Sequence, residues 1–277
     1  MADQVMRAGV ETSAIVPEKW SANFYDVLLE SLPFESLISK DYEGEIQDLG
    51  DTVNISSIPQ FDDAEILAED GRADSEAVTI TGQQLVINKR AVKDFIVTRR
   101  AILQSLPMMD KLQDMAIFAL MKKIQSEIIA ASVPVSANAI SYDSGTTLVL
   151  ADLLEAKELL DSGNVPETDR YAVLDSPQMN DVFNVTGFTS SDFLLSGAPI
   201  QTGQIPSALL GFQPRMTTEV AAVSYLFHSS YLTLAVQEGM GVRQYDLGGD
   251  GKRATRVNVD TLFGLKQLDN SRVVTLS

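Results

Sequence analysis

The pattern of hydrophobic and polar positions first predicts one long helix, over residues 107–132. Apolar residues recur there at steps of three and four, which is the period of an α-helix. Pro107 suits the first helical position after a candidate cap at Ser105, and Pro134 ends the pattern. At about 1.5 Å per residue, the helix would be roughly 39 Å long. Its apolar stripe consists of Leu112, Met115, Ala116, Ala119, Leu120, Ile124 and Ile128. The polar face between these positions carries Asp110, Lys111, Asp114, Lys122, Gln125 and Glu127. We expect the other elements to pack on this helix.

Two strands with alternating apolar and polar residues are predicted before the helix, over 45–59 and 77–89. Residues 61–76 connect them and are rich in acids, whereas a tight hairpin needs only about two to five connecting residues. The charged residues of this connection are Asp62, Asp63, Glu65, Glu69, Asp70, Arg72, Asp74 and Glu76. A two-stranded ribbon alone is barely stable in water. We therefore expect the ribbon of residues 45–89 to lie on another subunit.

The remaining elements are predicted in the same way. Residues 1–16 indicate an extended arm, and a helix follows from Pro17 until Pro33. Beyond it, the pattern predicts strands over 91–98, 170–175, 209–217, 224–228, 232–237, 242–246 and 254–261, helices within 148–164 and from Ser176, loops over 135–147 and 186–206, and further apolar alternation over 262–276. Gly163 is expected to be a left-handed cap, and Ser176 a cap followed by Pro177.

Composition indicates a folded chain without thiol chemistry. The 277 residues are 45% hydrophobic and 21% charged, with no cysteine, so disulfides and thiolate metal sites are excluded. No signal peptide is evident and no apolar run reaches the length of a membrane span, which indicates a cytoplasmic protein or an assembly made there. The formal charge of −17 argues against a nucleic-acid-binding surface. Such a charge favours solubility.

Candidate catalytic and metal-binding groups are few. His228 is the only histidine, and one imidazole cannot form a histidine metal site. A faint calcium-loop pattern begins at Asp246 but fails at its third and twelfth positions, Gly248 and Val257. We expect no catalytic residue, no metal and no cofactor. The alternative from another class is a hydrolase that uses acids such as Asp63 or Asp70, although nothing in that loop would raise the pKa of a carboxyl group.

The segment GQIPSALLGF at residues 203–212 resembles a motif of the major capsid proteins of tailed bacteriophages with the Hong-Kong-97-type fold. The order of elements agrees with that family along nearly the whole chain. The matching features are an N-terminal arm, an acidic hairpin as the extended loop, residues 107–132 as the spine helix, residues 171–177 and the strand with His228 as parts of an axial domain, and a terminal strand with Phe263 and Gly264.

This resemblance implies an α+β fold with four parts. Residues 1–33 would form the N-terminal arm and first helix, and residues 34–98 the extended loop with its hairpin at 45–89. Residues 99–143 and 251–277 would form a peripheral domain that contains the spine helix. Residues 144–250 would form an axial domain with a central sheet flanked by helices.

The resemblance implies a major capsid protein rather than an enzyme. Copies would assemble in the host cytoplasm into hexamers and pentamers, and these would form the icosahedral head around double-stranded DNA in the virion. A separate scaffolding protein and a portal protein are implied as partners, with a decoration protein as a further candidate and no membrane. Residues 46–88 contain no lysine, so we expect no crosslinking from this loop. The alternative within the same fold is an encapsulin-like shell around a cargo enzyme.

The acidic ribbon tip requires a basic receptor on an adjacent subunit. The candidates lie before and on the long helix, and they are Arg99, Arg100, Lys111, Lys122 and Lys123. Arg72 is a further cross-subunit candidate. A single exposed ion pair contributes about 0–1 kcal/mol, but many copies in a closed shell act together. The alternative for each acid taken singly is a solvated charge.

Overall fold

The computed structural model describes residues 32–46, 51–57, 61, 64, 66, 72, 75, 77–98, 108–143, 145, 147–185, 210–247 and 254–277. Several predictions from the sequence lie outside these residues. They are the arm over 1–16, the helix that begins at Pro17, the loop over 186–206 and most of the motif at 203–212.

The described residues form five α-helices and ten strands. The helices are α1 (Phe34–Leu37), α2 (Glu43–Ile46), α3 (Met108–Ala131), α4 (Leu150–Ser162) and α5 (Ser176–Asn184). The strands are β1 (Thr52–Ser57), β2 (Thr81–Val86), β3 (Lys89–Thr98), β4 (Ala139–Ile140), β5 (Arg170–Leu174), β6 (Gln213–Met216), β7 (Ser224–His228), β8 (Leu232–Asp246), β9 (Ala254–Gln267) and β10 (Val273–Leu276). The long helix α3 thus agrees with the predicted one to within one residue at each end.

The strands form three sheets. Within the ribbon of residues 45–89, β1 and β2 form an antiparallel pair with Thr52 opposite Val86 and Ser57 opposite Thr81. A three-stranded antiparallel sheet has the order β3-β9-β8, and a five-stranded mixed sheet has the order β4-β10-β7-β5-β6. Helices are interspersed among the strands along the chain, and the strands pair mainly antiparallel, which is an α+β architecture.

The long helix α3 packs on the three-stranded sheet through one face of its later turns. Ala116, Leu120, Ile124 and Ile128 are buried in a cluster with residues of β3, β7 and β9, among them Phe263. Leu112 and Met115, nearer its beginning, are only half-buried. The apolar stripe therefore exists as predicted, but its second half carries most of the contact with the sheet.

One polar residue of α3 was assigned incorrectly from the pattern. Gln125 was predicted to lie on the polar face, but it is buried, and its Nε2 donates to Thr217 Oγ1 at 3.2 Å. The end of the helix is fixed in a similar way, because Ser132 Oγ lies 2.8 Å from the hydroxyl of Tyr231 and donates to Ile128 O. These bonds join α3 to segments that flank β6 and β7.

A second core lies between the five-stranded sheet and the helices α4 and α5. Leu153 and Leu160 of α4 pack with Leu174, Leu226 and other buried residues of that sheet. The start of α4 is held by Asp152, whose two carboxylate oxygens accept from the backbone N–H groups of Val149 and Asp143 at 2.9 and 3.0 Å. A buried carboxylate that accepts backbone donors at a helix start stabilises that helix end.

Two predicted caps are wrong by one residue. Gly163 has a φ of −78°, and the left-handed residue after α4 is Asn164 with a φ of 53°. Asn tolerates this conformation because its short side chain bonds locally. The cap of α5 is Asp175, which accepts from Ser176 N at 2.7 Å, so Ser176 and Pro177 lie inside the helix.

Strand pairing also differs from the grouping expected for the two domains. The predicted strands over 232–237 and 242–246 form one strand, β8, with register shifts between Val236 and Gly241. β8 pairs with β9 in the three-stranded sheet, and β10 joins the five-stranded sheet. Strands that follow each other along the chain often pair as neighbours, and β8 and β9 do so.

Arg170, at the start of β5, forms hydrogen bonds to the last turn of α4 and to the loop that follows it. This side chain is 2% exposed. It donates to Pro166 O, Val165 O and Asp161 Oδ1 at 2.8, 2.5 and 2.7 Å. Hydrogen bonds from Lys157 and then Arg170 hold the pKa of the Asp161 carboxyl below its ordinary value. The carboxylate of Asp161 is thus the charged partner of a buried guanidinium.

Replacement of Ile128 by Ala should lower the free energy of unfolding of the full-length, unassembled subunit by about 2–5 kcal/mol. Ile128 is fully buried between α3 and the sheet, so its truncation leaves a cavity. Val133→Ala is the control, because Val133 is 59% exposed and should change stability by less than about 0.5 kcal/mol. Urea titration measures both. Equal effects of the two substitutions would contradict this packing.

Replacement of Asp161 by Asn should destabilise the subunit by about 1–3 kcal/mol at neutral pH, since a buried Arg170 donor loses its charged acceptor. Because the folded-state pKa of Asp161 is lowered, its stabilisation is present above the unfolded pKa and is lost as pH falls through the folded value. The difference from wild type should therefore shrink below about pH 4. Glu167→Gln, which changes an exposed carboxylate near Lys157, is the control for urea titrations across pH. A difference that grows in acid would refute this role.

Candidate assembly interface

The base of the ribbon packs on its own chain. Leu85 is fully buried, and Ile55 and Ile87 are buried with it against Ala235 of β8, with Leu262 of β9 beside them. This cluster also includes the partly buried Tyr42, Val53 and Leu268. The expectation that the whole ribbon lies on another subunit is therefore wrong for its base. Apolar residues of β1 and β2 that face the sheet can be buried within one chain because β8 and β9 extend beneath them.

One hydrogen bond joins the ribbon base to the body, and a second extends the pairing of β1 and β2 within the ribbon. Gln83 Nε2 donates to Leu268 O at 3.0 Å, and Ile87 N donates to Asp51 O at 2.8 Å. A cleft of about 290 Å³ lies beside the ribbon base. Its lining includes Ser56 and Gln83 of the ribbon together with Asp269 and Arg272 of the body. Ile55, Tyr42 and Leu268 belong both to the apolar cluster and to the lining of this cleft, so the cleft borders the contact between ribbon base and body.

The distal part of the ribbon is exposed. All of residues 77–82 are exposed, and among them Val78 and Ile80 have exposed fractions of 49% and 63%. Phe61 and Ile66, which belong to the connection between the strands, are also exposed. Clusters of large exposed apolar residues are typical of surfaces that bind another protein. The ribbon therefore divides near Gln83 into an anchored base and an exposed end.

The predicted acids of the ribbon tip lie outside the described residues. They are Asp62, Asp63, Glu65, Glu69, Asp70, Asp74 and Glu76, and the same holds for the predicted receptors Arg99 and Arg100. Arg72 is described and exposed.

The predicted receptor lysines of α3 have partners within the chain. Lys122 Nζ lies 2.8 Å from Glu219 Oε1, and Lys123 Nζ lies 2.6 Å from Glu127 Oε1. Glu127 also pairs with Lys89 of β3, and the bonds from Lys123 and then Lys89 lower its pKa. Lys111 is exposed near the start of α3. Lys122 thus joins α3 to Glu219, and Lys89 of β3 joins it through Glu127, whereas the pair of Lys123 and Glu127 lies within the helix. Sequence periodicity could not reveal the two pairs between distant segments.

The face of the three-stranded sheet that turns away from α3 was not identified from the sequence. Three ion pairs cross it, namely Arg90–Asp260, Arg256–Asp94 and Arg243–Glu238. Val92, Ile96 and Tyr245 are exposed on the same strands. The alternation of charged and apolar residues over 91–98 and 254–261 was the available signal, since successive side chains of a strand point to opposite faces.

The described residues show no arrangement suited to catalysis by a metal. They contain no group of three or more His, Asp or Glu side chains that could hold an ion. His228 is buried beside Ser230, with Nδ1 2.8 Å from its Oγ, and burial lowers the pKa of the imidazole. Within the described part of the chain, no helix is long and apolar enough to cross a bilayer.

Comparison with known proteins agrees with this architecture. The family described as phage capsid protein matches residues 105–277. A solved structure from Mycobacterium phage Che8 is similar with a TM-score of 0.76 at 21% identity, covering 95% of this chain and 97% of that one. The capsid structure of the cyanophage P-SCSP1u has a TM-score of 0.75 at 11% identity, with coverage of 97% and 94%. No curated protein matches the sequence.

A third similar structure is the capsid asymmetric unit of the cyanophage Pam1, with a TM-score of 0.72 at 14% identity and coverage of 100% of this chain and 98% of that one. At these identities the structures show the fold, and the family match shows the membership. The chain belongs to the phage capsid protein family and has the Hong-Kong-97-type fold of tailed-phage major capsid proteins.

Proposed function

We propose that this capsid protein assembles into hexamers and pentamers that close into an icosahedral head around double-stranded DNA. Membership in the phage capsid protein family carries the structural role as a subunit of the phage head. The exposed end of the ribbon carries the proposal that identical copies complete one another. Its side chains have no cover from the described part of their own chain, although the base of the same ribbon is well packed.

The energetic argument for a neighbouring copy rests on the exposed apolar residues. Val78, Ile80, Phe61 and Ile66 remain exposed in the single chain. Full burial of such a side chain is worth about 1.5–3 kcal/mol. A neighbour that covers several of them therefore provides a substantial driving force, which is repeated for every subunit of a closed shell.

The charges of the ribbon tip set the orientation of the ribbon on the neighbouring subunit. Seven acids lie between Asp62 and Glu76, and we propose that they meet Arg99, Arg100 and Lys111 of an adjacent subunit. Lys122 and Lys123 pair with Glu219 and Glu127 within their own chain, and a contact with the acids of a neighbour would compete with these pairs. Arg72 would pair with an acid across the same contact. Complementary charges of this kind select register more than they add affinity.

We propose that α3 and the three-stranded sheet form the peripheral domain, so that β3 and β8 are added to the predicted segments 99–143 and 251–277. The five-stranded sheet with α4 and α5 would form the axial domain, to which β4 and β10 belong although they lie outside the predicted segment 144–250. A separate scaffolding protein and a portal protein are the proposed partners during assembly in the host cytoplasm, and a decoration protein is a third.

The charge of −17 suits a shell that encloses DNA without holding it. The matching family is that of phage capsids, and no finding favours an encapsulin-like compartment.

Assembly of purified protein tests the proposal directly. Full-length protein, alone or with a scaffolding protein, should form closed particles with hexameric and pentameric units in electron micrographs. Conditions that range over salt and protein concentration distinguish weak assembly from none, because ion-pair contacts weaken with salt. Protein that stays monomeric under all of these conditions would contradict the proposal.

Trypsin tests the predicted position of the ribbon. Arg72 is the only basic residue within 46–88, and it is exposed in the single chain. Cleavage after Arg72 should therefore be rapid in the free subunit and at least about tenfold slower in assembled shells, where the ribbon is covered. Time courses read by mass spectrometry measure both rates.

Arg72→Gln is the matched control in the free subunit, since it removes this cleavage and no other. Equal cleavage rates at Arg72 in free and assembled protein would mean that the ribbon tip stays uncovered in the shell.

A further inference from the structure

Gly264 lies where the ribbon backbone crosses the three-stranded sheet. A side-chain carbon placed at Gly264 would lie 2.5 Å from Val86 O, 3.0 Å from Val86 C and 3.1 Å from Ile87 Cα. Ordinary carbon–oxygen contacts are about 3.3 Å or longer. The backbone at the end of β2 therefore rests directly on β9, and only glycine leaves room for this contact.

The crossing is short and is fixed on both sides. The last rung of the ribbon pairs Val86 with Thr52, and the first rung of the three-stranded sheet pairs Lys89 with Phe263. Only Ile87 and Asn88 lie between these rungs, and Ile87 is buried. The chain thus passes from one sheet to the other within two residues, directly over Gly264.

The requirement at Gly264 is for space and not for an unusual backbone angle. Its φ lies outside the left-handed region, unlike those of Gly145 and Gly211. The atoms that it meets belong to the backbone of Val86 and Ile87, which cannot move aside as a flexible side chain would. A methyl group at this position would have to lift the ribbon from the sheet.

We propose that Gly264 is a positioning residue, which sets the direction in which the exposed ribbon end projects toward a neighbouring copy. This inference rests on the proposed function, because direction matters only if a neighbour receives the ribbon. The ribbon base is fixed by Leu85, Ile55 and Gln83, and the exposed residues follow immediately. A shift of the backbone at the Gly264 contact therefore changes the direction of the exposed end. The six residues of β2 span about 20 Å, so a small displacement at Val86 becomes larger at the exposed end.

The experiment compares two glycine substitutions in the full-length subunit. Gly264→Ala crowds the crossing, whereas Gly239→Ala adds the same methyl group to β8, where no atom lies within 4 Å. The chain has no cysteine, so a spin-label pair can be introduced through Ser57→Cys on the ribbon and Val133→Cys after α3. Both positions are exposed, and they report the direction of the ribbon relative to the body.

The expected result is specific to Gly264. In unassembled subunits with unchanged circular dichroism, Gly264→Ala should shift the distance between the labels by roughly 2 Å or more, or broaden it, given the length of the lever. The yield of closed particles from the unlabelled variant should fall by roughly tenfold or more, since every contact in the shell is affected. Gly239→Ala should match wild type in both measurements.

A second variant applies if Gly264→Ala does not fold. Insertion of one glycine between Asn88 and Lys89 lengthens the crossing without adding an atom at the contact. It should broaden the label distance and reduce particle yield in the same way. Unchanged label distances, or changed distances with a normal particle yield, would overturn the positioning role in either variant. If wild type itself forms no particles, the proposed function fails, while the label distances still decide whether Gly264 directs the ribbon.

Discussion

The contact between the ribbon base and the three-stranded sheet is the interaction on which the proposed shell geometry depends. Leu85, Ile55 and Ile87 bury their side chains against Ala235 and neighbouring residues of β8 and β9. A free two-stranded ribbon would not hold a direction, because such ribbons are barely stable in water. Anchored at its base, the ribbon presents its exposed end at a fixed angle. The sheet therefore holds an otherwise unstable ribbon in an orientation in which it can contact a neighbour.

The sheet can serve as this base because α3 stiffens it from the other face. Ile124 and Ile128 fill the space beneath β3 and β9, and Gln125 and Ser132 fix the helix to Thr217 and Tyr231. Lys122 and Glu219 add an ion pair at the same junction. One helix is thereby joined to the three-stranded sheet and to segments beside the five-stranded sheet. A displacement of either sheet should therefore also displace α3.

Elements with a strong period were predictable from the sequence, and their partners were not. Periodicity identified α3 and the strands of the ribbon because each exposes one face and buries the other. It misassigned Gln125, since a buried amide is recognised only by its acceptor or donor, here Thr217 from a distant segment. It also could not show that the ribbon base is buried within the chain, because that depends on β8 extending into the three-stranded sheet.

Local capping rules were close but not sufficient. Gly163 and Ser176 had suitable side chains for their predicted roles, yet Asn164 and Asp175 occupy those positions. At each of these helix ends, two neighbouring residues can serve as the cap, so the cap position can differ by one residue. The packing of α4 and α5 decides which of the two is used. The interface residues were the least predictable, because contacts between subunits leave no period along a single chain.

Hydrogen–deuterium exchange, followed by mass spectrometry in the free subunit and in assembled shells, tests the central claim most directly. The claim is that the ribbon is complete at its base and incomplete at its end. Backbone amides of residues 83–87 should exchange slowly in both states, whereas those of residues 77–80, which precede β2, should become protected only on assembly. Equal exchange of residues 77–80 in both states would contradict it.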